Sequence, residues 1–245
     1  MISKYLLYNK HMRLLRIFLI ASLLLGVIGY AVAPGFLIAT DHTIAFALFS
    51  VRTPLLLKFF SAITLLGSAE VLAIAVLFLT LLLWNRKQKH FILTLWLTLF
   101  TGETAMLLGK ILFRRVRPEI LLQATAETTY SFPSGHATTA VAFFGFLAYL
   151  LIRTQKNRSV KIHVFVLAIL VITLLDLSRL YLGVHYLSDV LAGNLVGLAA
   201  LLFSISVTER LIRKKNILLS TLPLFDIVVL LLAELFLVFL LVFVS

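Results

Sequence analysis

The sequence predicts an all-α fold, a polytopic transmembrane helix bundle with a six-helix core and a seventh, C-terminal helix. Three observations predict it. Of the 245 residues, 62% are hydrophobic, and the apolar runs repeatedly exceed the roughly 20 residues that carry a helix across a bilayer. The 22 Lys and Arg give a net charge of +12, but they cluster in short segments between apolar runs, so they report membrane topology and not a nucleic-acid surface. Cysteine is absent, which excludes disulfides and thiolate nucleophiles.

The elements follow in order. Residues 17–33 form the first helix, behind Lys4, Lys10, Arg13 and Arg16. Ala31-Val32-Ala33 has the spacing of a signal-cleavage site, but Pro34 directly after it, with fixed φ and no N–H, argues for a retained helix. Residues 34–54 read as a loop with a solvated His42 and a short interfacial segment at 43–50. The second helix, 55–84, is longer than one span needs and is expected to bend at Gly67-Ser68. Glu70, near that bend, reads as a carboxyl at the interface or paired within the bundle. Beyond the basic loop 85–90, the third helix, 91–113, carries Glu103 and Lys110 on one face, so Glu103 reads as a partner for a basic residue.

The fourth helix covers 134–152, the fifth 162–181 and the sixth 185–208, where Gly193 and Gly197 offer a small-residue face for close packing. The seventh spans about 217–244, with Ser220 and Pro223 as start signals. Its Asp226 and Glu234 are given no chemistry. No linker or repeat divides the chain, so it reads as a single membrane domain, 1–245.

Three polar islands interrupt this pattern. The first, 178–189, holds Ser178, Arg179, His185 and Asp189, and ionisable groups at the edge of an apolar segment are costly enough to mark function. A helix starting near Val184 would put His185 and Asp189 on one face, where the carboxylate orients the imidazole. Such an imidazole beside a fixed guanidinium suits a reaction on an anion, with Arg179 gripping phosphate and His185 attacking it. The alternative is a charge cluster among lipid headgroups. The second island, 110–118, sets Lys110 at a helix end with Arg117 one or two turns later, both able to reach one anion. Arg114 and Arg115 read as snorkelling to headgroups. In the third, Pro133-Ser134-Gly135-His136, Ser134 and Gly135 open a helix whose free N–H groups form an anion site, with His136 in its first turn.

Together the islands resemble the tripartite signature of the type 2 phosphatidic acid phosphatase family, whose membrane lipid phosphatases share a pocket plan with vanadium haloperoxidases. All signature positions match: Lys110, Arg117 and Pro118, then Pro133, Ser134, Gly135 and His136, then Ser178, Arg179, His185 and Asp189. The signature region is 91–208, and the seventh helix departs from the six usual in the membrane branch. The resemblance implies that His185 is the nucleophile that becomes a phosphohistidine, Asp189 holds its ring, and His136 protonates the leaving oxygen. Lys110, Arg117, Ser134, Gly135 and Arg179 then cradle the phosphoryl oxygens. Phosphoryl transfer needs mainly positioning and charge compensation, so no metal and no cofactor are expected.

With the N-terminus in the cytoplasm, loops 1–16, 85–90, 153–161 and 210–215 fall inside with four, three, four and four basic residues, fifteen of the 22, as the positive-inside rule requires. All three islands then lie on the outer face of the cytoplasmic membrane. The expected partners are the bilayer and a lipid phosphate or pyrophosphate: undecaprenyl pyrophosphate, phosphatidylglycerophosphate, phosphatidic acid or the lipid A 1-phosphate. A lipid phosphotransferase on the same scaffold shares the first half-reaction. A lipid or ion transporter predicts charge spread through the membrane depth instead of clustered on one face.

Overall fold

In the computed structural model, the described residues are 37–214 except 126, together with Gly26 and Gly29. The expected seventh helix, and all of the expected first helix but those two glycines, therefore lie outside the described residues. Those described form seven α-helices: α1 Ile38–Ser50, α2 Pro54–Leu65, α3 Ala69–Asn85, α4 Lys89–Phe113, α5 Gly135–Thr154, α6 Arg158–Tyr181 and α7 Leu187–Lys214. A short 3-10 turn, Ile120–Leu122, interrupts the loop between α4 and α5. The all-helical membrane fold is borne out. Four helices, α4 to α7, are long and apolar enough to span a membrane.

Local chemistry sets the helix ends. Thr53 accepts the Leu56 N–H and precedes Pro54, whose missing N–H costs nothing in a first turn. Ser68 caps α3 by accepting the Val71 N–H, so the chain turns at 66–68 and α2 meets α3 at 40°. This is the bend expected at Gly67-Ser68, and α2 and α3 taken together have the length and composition of a broken span or a re-entrant loop. Asn157 accepts the Ser159 N–H at 2.8 Å and starts α6 four residues before the expected boundary.

The core lies where α3, α4, α5 and α7 meet, around Leu79, Leu83, Phe91, Leu95, Phe143, Phe146 and Leu150. Close approach of α7 to α5 depends on the two glycines read from the sequence. A Cβ at Gly193 would sit 2.5 Å from the Ser134 carbonyl oxygen, and one at Gly197 equally close to that of Thr138. Lipid tails are as apolar as Leu, so such backbone contact and interhelical hydrogen bonds supply much of the association energy. Thr94 donates to Thr208 at 2.8 Å between α4 and α7. At the same end of the bundle Arg153 meets Glu209 at 2.7 Å.

Two expectations at the other end are corrected. The stretch read as a loop over 34–54 is largely helix, beginning at Ile38. His42 is not a solvated loop residue: its ring lies 5.3 Å from that of Tyr186. The sequence hid this because the helix is held by tertiary contacts of its polar residues and not by an apolar stripe.

Candidate active site

The ends of α4 and α6 and the starts of α5 and α7 converge at one end of the bundle, so the three islands meet there. Each residue arrives by a different local device. Arg114, in the left-handed conformation at φ 44°, ends α4 and turns the chain so that Arg115 and Arg117 enter the bundle. Gly183 makes the turn from α6 into α7 at φ +70°, and a Cβ there would run into the Leu122 carbonyl oxygen. Any side chain at that position would push the His185 turn off the loop that supports it.

His185 is buried, and its two ring nitrogens face different partners. Arg117 NH1 approaches Nε2 at 3.2 Å. A guanidinium has only donors, so Nε2 is the acceptor and Nδ1 carries the proton. Nδ1 faces Asp189 Oδ2 at 3.6 Å and Ser131 Oγ at 3.4 Å. The lone pair is thereby directed to the same side as the arginines. Burial pushes the His185 imidazole down to about 4, with Arg179 and Arg117 adding to the effect and Asp189 opposing it, so the ring is neutral across physiological pH.

The shared-helix expectation for this pair is corrected. α7 begins at Leu187, and His185 sits in the preceding turn. The pair still meets because Asp189 reaches back, its Oδ2 accepting the Tyr186 N–H at 2.9 Å. An acidic side chain three residues into a helix commonly closes the helix start this way. Ser131 also donates to Oδ2, and Asp189 is fully buried.

Arg117 is fixed through Nε to the Thr129 carbonyl and through NH1 to the Val184 carbonyl, both at 2.7 Å. Arg179 donates to Thr64 Oγ1 at 2.8 Å, which ties the bend of α2 to the site. Lys110 stands in the last turn of α4, its ammonium donating to the Tyr130 carbonyl. Ser134 precedes α5, and its N–H donates to the Asp189 carbonyl at 3.0 Å. Two buried groups, Ser134 Oγ and Arg179 Nε, have no partner among the described residues. Gly135 and His136 face a cavity of about 460 Å³ that they line with Gly67, Leu72, Trp96, Glu103 and Thr139. Leu77 and Trp96, also in its wall, are half exposed on the outer surfaces of their helices. Glu103, read as a partner for a basic residue, also lines this cavity, and among the described residues it makes no direct ion pair.

Sequence reasoning missed three groups. Glu127 lies between the arginines, 2.5 Å from Arg179 and 3.4 Å from Arg117. Burial disfavours its charge, but the Arg179 hydrogen bond and both guanidinium charges outweigh burial and hold the carboxyl below its usual range. Arg115, expected among the headgroups, instead contacts Asp189 at 2.5 Å and Asp41 at 2.6 Å. No spacing rule links residues 41, 115, 127 and 189, so nothing in the sequence marked these contacts. The only available signal was general: charges in an apolar chain need partners.

Comparison with known proteins bears on the family and the fold. The model of the PAP2 superfamily matches residues 91–213. Phosphatidylglycerophosphatase B of Bacillus subtilis strain 168 is 33% identical over 165 residues, 65% of this chain and 79% of that protein. The crystal structure of a transmembrane PAP2-type phosphatidylglycerolphosphate phosphatase from Bacillus subtilis superposes with a TM-score of 0.72 at 28% identity. That match covers 79% of this chain and 96% of the other. The crystal structure of Aquifex aeolicus LpxE gives a TM-score of 0.55 at 26% identity, covering 68% and 94%. The resemblance read from the signature residues is thus borne out, and the chain belongs to the PAP2 superfamily, among its membrane-spanning members.

Proposed function

We propose that the chain hydrolyses the terminal phosphate of a membrane lipid phosphate or pyrophosphate through a covalent intermediate on His185. Family membership makes it a membrane lipid phosphatase; the intermediate, the substrate and the membrane face are our reading. The observation that carries the reading is the division of labour on the His185 ring, with Nδ1 toward Asp189 and Nε2 toward Arg117.

In the first step the Nε2 lone pair forms a bond to phosphorus, the ester or anhydride P–O bond breaks, and His136 gives its proton to the leaving oxygen. Asp189 stabilises the positive ring as charge moves onto it. In the second step water attacks phosphorus, His136 takes the proton, and the P–N bond breaks. Arg117, Arg179 and Lys110, with Ser134 and the N–H groups that open α5, compensate the charge spread over the phosphoryl oxygens. The unpartnered Ser134 Oγ and Arg179 Nε support this role, since buried donors without partners are rare and call for an explanation. A clamp that supplies its own cations needs no metal, so the reaction is metal-independent in our reading.

The apolar cavity beside His136 supports a lipid substrate, because its wall continues to side chains on the outer surfaces of the helices. The distribution of basic loops supports a site on the outer face of the cytoplasmic membrane. On that face a carrier such as undecaprenyl pyrophosphate is the favoured substrate, with phosphatidylglycerophosphate, which the Bacillus relative's name denotes, and phosphatidic acid beside it. The test uses the purified full chain in detergent with a panel of these lipids, measuring released phosphate and any newly phosphorylated lipid. Phosphate release supports hydrolysis. Transfer to a second lipid without release converts the reading to a phosphotransferase, and no turnover of any member rejects both.

A further inference from the structure

Asp189 carries a second set of contacts, on the side away from His185, that the proposed reaction does not use. Its Oδ1 accepts Arg115 NH1 at 2.5 Å. The same NH1 donates to Ser188 Oγ at 2.6 Å, and NH2 donates to Asp41 Oδ2 at 2.6 Å. Ser188 Oγ in turn donates to Asp41 Oδ2 at 2.5 Å, and the Ser188 N–H donates to Asp41 Oδ1 at 3.1 Å. Asp41 is 2% exposed and Arg115 12%. The guanidinium lies 4.5 Å over the Tyr186 ring. One cation is thus shared by two buried carboxylates, one of them on α1, outside the matched residues 91–213.

Two consequences follow from this arrangement. Asp41 replaces the missing cap of α7: the side chain preceding that helix is Tyr186, which cannot accept a backbone N–H there as Ser or Asp would, and Asp41 accepts the Ser188 N–H from another helix. Arg115 fixes Oδ1 of Asp189, so Oδ2 cannot rotate away from His185 Nδ1. Asp41 offsets the charge of Arg115, which would otherwise neutralise Asp189 and weaken its support of a positive ring.

We propose that Asp41, Arg115 and Ser188 form a positioning strut that sets the rotation and charge of the Asp189 carboxylate, making α1 a working part of the site. The proposal rests on the reading of His185 as nucleophile. The strut touches no substrate; apart from the cap that Asp41 gives α7, it bears on the reaction through Asp189. That property separates it from Arg117 and Arg179, which hold phosphate.

The test measures kcat, KM and vanadate inhibition of the full chain in detergent, with dioctanoyl phosphatidic acid as the probe. The variants are Arg115→Gln, Asp41→Asn, Ser188→Ala, Asp189→Asn and Arg115→Gln combined with Asp189→Asn. Arg115→Gln is expected to lower kcat about 10-fold to 100-fold, the usual effect of removing a group that orients an active side chain, with KM and vanadate inhibition within about twofold. In the Asp189→Asn background the same change is expected to cost less than about twofold, because groups acting as a unit are not additive. Ser188→Ala keeps all three charges and is expected to lower kcat in the same KM-neutral way, which covers the case in which Arg115→Gln does not fold. Unchanged kcat in Arg115→Gln and Ser188→Ala, or a full additional loss in the double variant, overturns the strut. A wild-type protein inactive toward every lipid of the panel instead overturns the proposed function, and the strut with it; if only phosphatidic acid fails, the same variants are measured on the panel member that is turned over.

Discussion

Glu127 stands where the proposed mechanism puts a phosphoryl group, and its removal gives the sharpest test of the proposed clamp. The carboxylate bridges Arg179 at 2.5 Å and Arg117 at 3.4 Å, so an incoming phosphate must displace it. A hydrogen bond to a charged group contributes about 1.5–3 kcal/mol, and one between neutral groups about 0.5–1.5 kcal/mol. The Glu127 side chain is 28% exposed, and partial solvation places the difference between carboxylate and amide near the lower end, about 1 kcal/mol. At about 1.4 kcal/mol per tenfold in affinity, Glu127→Gln should tighten vanadate inhibition and lower KM about fivefold, with kcat changed less. Steady-state kinetics on dioctanoyl phosphatidic acid, with vanadate titrations at fixed pH and salt, read both quantities. Weaker vanadate binding, or a kcat loss of about a hundredfold with KM unchanged, would refute the idea that Glu127 competes with phosphate and assign the carboxylate to the chemistry.

Four further outcomes are expected. His185→Ala should abolish turnover with the protein still folded in the membrane, and Asp189→Asn should impair less because the nucleophile remains; substantial activity in His185→Ala removes it as nucleophile. The dependence of kcat/KM on pH should be bell-shaped, and its acid limb belongs to protonation of His185. Because burial lowers that group to about 4, the neutral nucleophile persists as pH falls through 6, and the limb should lie below pH 5 once the substrate phosphate, which titrates near about 6, is accounted for. Activity should survive EDTA and fall with vanadate; loss in EDTA restored by magnesium contradicts a metal-free clamp. Cysteines introduced singly at Gln123 and Gln155 should react and stay protected, respectively, toward an impermeant thiol reagent on intact cells, and the reverse pattern moves the site to the cytoplasmic face.

The bundle was legible in the sequence because a bilayer demands long apolar runs, and even the bend at Gly67-Ser68 was visible as excess length over one span. That the three polar islands share one end of the bundle was legible from their polarity and from the alternation of basic loops, and the set Lys110, Arg117, Ser134, His136, Arg179, His185 and Asp189 came from the resemblance their motifs carry. What stayed hidden were partners set by tertiary approach. Arg115 has the composition of a headgroup arginine and differs from Arg114 only in which side of the turn at φ 44° it leaves. Asp41, inside the stretch 34–54 read as a loop, carried no mark of its own because its partners, Arg115 and Ser188, are far along the chain. The start of α7 was placed two residues early because His185 and Asp189 at helical spacing imitate a helical pair, whereas the structure joins them through a turn and a reaching carboxylate.

The central claim is a two-step reaction through a phosphorylated His185, and the stereochemical course at phosphorus tests it most directly. A lipid thiophosphate made chiral with one heavy oxygen isotope can be hydrolysed by the purified chain in water carrying another, and the configuration of the released thiophosphate determined. Two in-line displacements, first by His185 Nε2 and then by water, predict overall retention. Inversion would mean that water attacks phosphorus directly, and would contradict the covalent mechanism at His185.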